Sequence, residues 1–350
     1  MNELTVLVDY KGQLHCPHRG TQRAVDVRET WRRFAAAGYR QVVRTFEDLD
    51  LRAEDFRGRP VLYQSSQDRG LLYRSYVEDV VHALHLQGAR LLPGFEALRA
   101  HHNKVFMELL RDVSGLPELQ TLRARTFGTF EAFRDVAEAL DYPVVLKPAA
   151  GDTSHGVALA RDAREALRIA RRLSASPTVA DVVARLRGWL AGDPVPESLH
   201  RRKFVVQPFV PGLTGDFKVL AFGDHQWVAR RSARPGDFRA SGSGRPLGFP
   251  TEPPEGLLEL VERVRARFDV PFASLDVLVD RAGRLHVGEL QFVRFGIRLL
   301  TAAPHRFERT GGAWRVVAGP SCWEEELVRA VVAHLAPAAA ALPAATGTEG

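Results

Sequence analysis

Apolar residues recur along this chain with two periods that alternate. Short apolar runs at 4–8, 41–43 and 61–63 read as strands. Between and after them, apolar residues fall at helical spacing. One such stretch covers 21–37, with Trp31 and Phe34 among its apolar positions. Another covers 73–86, where Tyr76, Val77, Val80, Val81 and Leu84 stand at i, i+1, i+4, i+5 and i+8. Strands alternating with helices imply a small parallel α/β lobe over residues 1–96.

A second lobe is expected over 97–202. It reads as a helix at 101–112, a strand at 122–124 and a helix from the cap Thr129 to about 140. A strand through Pro143-Val144-Val145-Leu146-Lys147 leads into a loop at 151–156, a strand at 157–159 and a helix from Ala163. Residues 174–200 read as an insertion with a helix at 180–190 between Pro177 and Pro194. A third lobe, 203–336, is expected to hold strands at 204–207, 217–222, 226–231, 274–279 and 284–291, with helices at 255–267 and 323–335. Residues 337–350, rich in alanine, proline and glycine, read as a disordered tail. No internal repeat is visible.

Composition narrows the function classes. With 350 residues and 45 % hydrophobic content the chain is an ordinary globular protein of two or three lobes. No apolar run spans a bilayer, and the apolar start at 4–8 is too short for a signal-peptide core. Cys16 and Cys322 stand far apart, which suits reduced thiols and a cytoplasmic setting. His15, Cys16 and His18 cluster, but three residues lack the fourth ligand of a zinc site, and Pro17 points to a plain turn. The net charge of +6 is scattered, without the basic-plus-aromatic pattern of a nucleic-acid module. It reads as a solvated surface or as a field for anionic ligands. Only five of the 48 basic residues are lysine: Lys11, Lys104, Lys147, Lys203 and Lys218. Lysine is a compact point charge where arginine is a broad fork, so each surviving lysine is worth inspecting.

Two constellations carry chemistry. Ala149-Ala150-Gly151-Asp152-Thr153-Ser154-His155-Gly156 is a small-residue loop with Lys147 at its entrance. Such loops let backbone N–H groups approach phosphate oxygens, although many merely join strands. The second is a hairpin around Asp280-Arg281-Ala282-Gly283. If Ala282-Gly283 is a two-residue loop, Asp276 sits directly opposite Glu289, and Gln291 shares Glu289's face. Opposed carboxylates repel, and a divalent cation between them would reverse that cost. The plainer reading is the polar face of an exposed hairpin.

The order of these features resembles the ATP-grasp superfamily, and within it the ribosomal-protein glutamate ligase and glutathione synthetase type. The matching segments are Asn103-Lys104 opening a helix, Tyr142-Pro143-Val144-Val145-Leu146-Lys147-Pro148, the loop to Gly156 and Val205-Val206-Gln207-Pro208-Phe209-Val210. Gly215-Asp216-Phe217-Lys218-Val219, Gly236-Asp237-Phe238-Arg239 and the Asp276…Glu289-Leu290-Gln291 hairpin complete the series. Together they span roughly residues 90–300.

The resemblance implies an α/β ATP-grasp fold with a small N-terminal lobe, a central lobe and a C-terminal lobe. It implies an ATP- and Mg2+-dependent carboxylate–amine ligase that works through an acyl phosphate, with a small-molecule or peptide carboxylate and an amine as substrates. A hydroxyl kinase on the same fold, or a non-catalytic ATP-binding protein, is the alternative. By resemblance Lys104 and Lys147 bind the phosphates and the adenine side of ATP, helped by Gly151, Ser154, His155 and Gly156. Gln207, Phe209 and Val210 belong to the linker that reads adenine. Asp276, Glu289 and Gln291 hold magnesium, and Arg239, Lys218 and Arg231 are the catalytic cations. Arg69, in the segment after the strand at 61–63, could meet a substrate carboxylate; Asp68 as a helix cap is the plainer reading there. The sequence departs from the family at Gln291, where asparagine is usual, at Lys218, where arginine is common, and at Ser241, where related ligases often have asparagine. Neither nucleic acid nor membrane is expected as a partner.

Overall fold

The computed structural model describes residues 2–14, 25–65, 68, 72–151, 156–192, 197–213, 215–232 and 248–336. The first sheet is formed by β1 (Asn2–Val8), β2 (Tyr39–Thr45), β3 (Pro60–Tyr63) and β4 (Arg90–Leu92), in the order β2-β1-β3-β4 with every pair parallel. Helix α1 (Val27–Ala36) and helix α2 (Leu72–Leu86) lie on opposite faces. The period of two in β1 sorts its side chains: Leu4, Val6 and Val8 join the cluster of Phe34 on α1, while Leu7 joins that of Val77 and Val81 on α2. Trp31, expected among the apolar positions, is 56 % exposed, because the buried face of α1 is set by Thr30 and Phe34.

Helix α3 (Phe95–Ala100) and helix α4 (Lys104–Asp112) follow, where one helix over 101–112 was expected. Asn103 breaks the run, because its side chain accepts from Phe106 N and so starts α4 afresh. The second sheet is antiparallel in the order β5-β8-β6-β7. It contains β5 (Arg125–Phe127), β6 (Val144–Pro148), β7 (Ala158–Ala160) and β8 (Phe204–Pro208). Helix α5 (Phe130–Arg134) and helix α6 (Ala163–Ser174) cover one face through Phe133, Ala166 and Ile169. Helix α7 (Val179–Leu190) lies between α6 and β8 in sequence.

Three expectations for this region are corrected. The strand at 122–124 lies instead at 125–127, where it pairs with β8, and the helix from Thr129 ends at Arg134. The strand at 204–207, expected in the third lobe, sits inside the second sheet between β5 and β6. Its alternation leaves Phe204 and Val206 on the face that α5 and α6 cover, so it completes that core.

The third sheet is antiparallel in the order β12-β11-β9-β10-β13-β14. Its strands are β9 (Gly215–Phe222), β10 (His225–Ser232), β11 (Phe272–Val279), β12 (Leu285–Gln291), β13 (His305–Thr310) and β14 (Ala313–Ala318). The last two went unread in the sequence. Helix α8 (Leu257–Arg267) packs on the face of Val219, Leu275 and Val277, and α10 (Trp323–Leu335) on the face of Leu220 and Trp227. The short α9 (Arg298–Ala302) precedes β13. Among the described residues no helix is long and apolar enough to cross a membrane.

Candidate active site

Within the third sheet Asp276 lies opposite Glu289, as the sequence implied, but for a different reason. The turn is not two residues long: Val279 pairs with Leu285, and Asp280 N donates to Arg284 O, leaving three residues between. Gly283 takes φ +76°, the left-handed conformation such a loop uses. Alone, that turn would shift every later pair by one residue and turn Glu289 to the other face. A bulge corrects it. Val277 faces Val287, Asp276 faces Glu289, and Gly288 is the extra residue between them. A Cβ at Gly288 would stand 3.3 Å from Asp276 O, so the close approach favours glycine.

The same face carries the cations of β9 and β10. Lys218 is paired with Asp276 in register and with Ala229 on its other side, while Arg231 pairs with Asp216. Lys218 Nζ lies 3.3 Å from Asp276 Oδ1, and Arg231 Nη2 lies 2.7 Å from Asp276 Oδ2. Arg231 is itself held by Asp216, whose two oxygens accept from its Nε, at 2.8 Å, and its Nη2. Burial pushes the Asp276 carboxyl up, but Lys218 and Arg231 outweigh it, and the group lies below the ordinary aspartate value. Asp216, almost wholly buried, is pushed up to about 6 by burial, with Arg231 opposing and the charge of Asp276 adding to the rise. From sequence alone, only a bound metal relieves the repulsion between the opposed carboxylates. In the structure Lys218 and Arg231 already supply that relief to Asp276.

Across from this face stands the face of the second sheet that α5 and α6 leave to α4. Residues Val144 and Leu146 point into the α5–α6 core, so Val145 and Lys147 point the other way. Lys147 Nζ donates to Gln207 Oε1 at 2.5 Å. Burial draws the Lys147 pKa below that of an ordinary lysine, against the pull of Glu108 and of Glu289 on the third sheet. Lys104, at the first position of α4, donates from Nζ to Gly151 O at 2.7 Å and from its backbone to Ala149 O at 2.8 Å. The start of α4 is thereby tied to the small-residue loop. Lys203 donates to Asn103 Oδ1 at 2.9 Å and steadies the cap. Phe209 N donates to Pro143 O at 3.2 Å, and Val210 is buried.

The structure therefore gathers Lys104, Lys147, Gly151 and Gln207 on one side, and Asp276, Glu289, Gln291, Lys218 and Arg231 on the other. Gly156 lies beyond the loop with φ +76°, where a Cβ would stand 3.1 Å from the ring of Pro148. Ser154, His155, Arg239 and Arg69, with His15, Cys16 and His18 and the tail, lie outside the described residues. Asp68 accepts from Leu72 N at 2.7 Å and Tyr73 N at 3.1 Å, the capping role expected as the plainer reading. Sequence reasoning missed Asp216, although the period of two places it on the face of Lys218. It also missed Glu108 and Arg111, a buried pair one helical turn apart on α4.

The donor set suits a hard cation. Asp276 and Glu289 are carboxylates on one face, Gln291 adds a carboxamide oxygen, and magnesium sites use one or two carboxylates together with substrate phosphates. An ionised carboxylate has lone pairs to spare beyond one hydrogen bond per oxygen. The buried Ser274 hydroxyl, directly across from Gln291, has no hydrogen-bond partner among the described residues, so this face has unmet polar capacity.

The small parallel lobe, the four-stranded sheet and the six-stranded sheet together have the ATP-grasp fold. No family model and no curated protein matches the sequence. Solved structures do. D-cycloserine synthetase DcsG is 14 % identical, with 96 % of this chain and 100 % of that chain covered and a TM-score of 0.52. The ATP-grasp ligase PsnB, in complex with a minimal precursor, Mg and ADP, is 15 % identical, with 95 % and 97 % covered and a TM-score of 0.53. At such identities the likeness is one of fold.

Proposed function

We propose that this protein is an ATP- and magnesium-dependent ligase that joins a small-molecule or peptide carboxylate to an amine through an acyl phosphate. The observation that carries the reading is the pairing of Asp276 with Glu289 on the third sheet beside Lys218 and Arg231, with Lys104 tied to the loop at Gly151 next to the second sheet. ATP would lie along this junction, with Lys104 and Lys147 toward its phosphates and residues 207–210 toward adenine. Magnesium held by Asp276, Glu289 and Gln291 would neutralise phosphate charge. Lys218 and Arg231 would face the transferring phosphoryl group, with Asp216 fixing the Arg231 fork. The substrate carboxylate attacks the γ-phosphate and ADP leaves; the neutral amine then attacks the acyl carbon, the C–O bond to phosphate breaks, and the proton lost by nitrogen goes to the departing phosphate. Positioning and charge neutralisation are the protein's whole contribution. Arg239 is assigned to the reacting carboxylate. PsnB was solved with a precursor peptide and AMPPNP, which supports a peptide as one class of substrate.

The test pairs a trap with two variants. With ATP, magnesium, hydroxylamine and a panel of carboxylates, the wild-type protein is expected to form a hydroxamate, because hydroxylamine intercepts acyl phosphates. Glu289→Ala is expected to abolish ADP release while the circular dichroism spectrum stays unchanged. Arg239→Ala is expected to lower hydroxamate yield far more than ATP affinity. ADP release without hydroxamate would move the assignment to a hydroxyl kinase, and a fully active Glu289→Ala would remove the metal site.

A further inference from the structure

Helix α7 is well made locally and packs poorly. Thr178 and Asp181 form a reciprocal capping box at its start, and Ala191 N donates to Arg187 O at its end. Yet none of its twelve residues is buried. A free helix of that length is marginal in water, so burial from elsewhere has to support it.

Its large apolar residues are Val179, Val182, Val183, Leu186, Trp189 and Leu190. Their spacing of three and four places them in one stripe along the helix. That stripe faces out: Val179 is 83 %, Leu186 55 % and Trp189 71 % exposed. The half-buried positions Asp181 and Gly188 lie on the opposite edge. There the helix is held to its own chain by polar ties, Arg201 to Asp181 and Arg185 Nη1 to Glu197 O at 2.8 Å. Among the described residues no other element carries more than three exposed large apolar side chains.

We propose that α7 is the dimerisation element of this protein, packing antiparallel against α7 of a second copy. The stripe is self-complementary, as a two-fold interface demands. Run antiparallel about its midpoint, it sets Val183 against Leu186 and Val179 against Leu190 of the other copy, with an indole at each end. It carries no charged group, so it selects a face as apolar as itself. The area suffices. Fully covered, the six side chains would bury roughly 600 Å² per copy, about 1,200 Å² in all, at the lower end of the range for specific interfaces. Opposed helix dipoles favour the antiparallel arrangement. None of the six residues belongs to the candidate active site, and the inference does not depend on the proposed reaction.

The experiment is light scattering on the full chain between about 1 and 100 µM, with circular dichroism as a folding control. The wild-type protein is expected to have twice the mass of one chain. Leu186→Glu is expected to be folded and monomeric, with dimer affinity at least about 100-fold weaker. Trp189→Ala is expected to weaken the dimer by about 10-fold, the scale for losing one aromatic anchor. Leu86→Glu, at an exposed apolar residue on α2, is expected to leave the dimer intact. A wild-type monomer at 100 µM would overturn the proposal, as would a dimer that survives Leu186→Glu or one that Leu86→Glu dissolves. Because Leu186 and Trp189 are both exposed in the single chain, the substitutions do not threaten the fold.

Discussion

Arg111→Met tests how the second and third sheets are joined. Arg111 is 1 % exposed and lies on α4, which sits against the edge strand β12. Its Nη2 donates to Val287 O at 2.8 Å and Leu119 O at 3.2 Å, and its Nη1 lies 3.2 Å from Glu108 Oε1. Methionine fills most of the volume but makes none of these bonds. Glu108, also buried, would then lack its nearest positive partner. Breaking a buried ion pair from one side costs about 3–5 kcal/mol, a large part of the 5–15 kcal/mol that typically separates folded from unfolded states. The loss is expected to depend on pH. Burial already holds the Glu108 pKa above its ordinary 4.5, against the pull of Arg111 and Lys147. A carboxyl raised in the folded state contributes stability that is complete below the unfolded value and is lost as pH rises through the folded one. Removing Arg111 raises the folded value further, so the variant is expected to be least stable on the alkaline side. Urea unfolding at pH 5 and pH 8 measures this, with Arg111→Met/Glu108→Leu as the companion. The double variant is expected to recover most of the loss, since no charge is left buried alone. A single variant within about 1 kcal/mol of wild type at both pH values, or a double variant worse than the single, would refute the reasoning.

Two further outcomes bear on the site itself. Lys147→Ala is expected to weaken ATP binding or turnover by on the order of 10²-fold, and Lys147→Arg to restore only part of it, because a wide fork does not replace a point charge beside Gln207. Since burial lowers the Lys147 pKa, nucleotide affinity measured calorimetrically is expected to fall as pH rises, starting before the ordinary lysine value of 10.5 is reached, as the ammonium loses its proton. Gly288→Ala would put a Cβ 3.3 Å from Asp276 O, within the bulge that pairs Asp276 with Glu289. A stability loss of about 1–3 kcal/mol is expected, together with a fall in turnover larger than the fall in ATP affinity. Unchanged kinetics would separate the bulge from the chemistry.

Local pattern was enough for much of this protein. The strand–helix alternation of the first ninety residues, the capped α6 and α7, and the hairpin carrying Asp276 and Glu289 are all written in short-range signals, because each depends on neighbours a few residues apart. The scarcity of lysine drew attention to all five lysines, and the family resemblance picked out Lys104, Lys147 and Lys218; in the structure Lys147 meets Gln207 on the second sheet and Lys218 meets Asp276 on the third. What local pattern does not hold is partnership across the chain. The strand at 204–208 looks alike in either sheet, and only its fit between β5 and β6 assigns it. The pairing of Asp276 with Glu289 follows from a three-residue turn and a bulge whose shifts cancel, and the bulge shows only once Gly288 meets Asp276 O. Asp216 holding Arg231, and Arg111 reaching from α4 to the carbonyl of Val287, join residues brought together only by the folded chain. Sequence sets which faces are apolar and where elements start, since those are properties of consecutive residues. Tertiary structure alone decides which charge meets which, since burial and distance between remote residues exist only after packing.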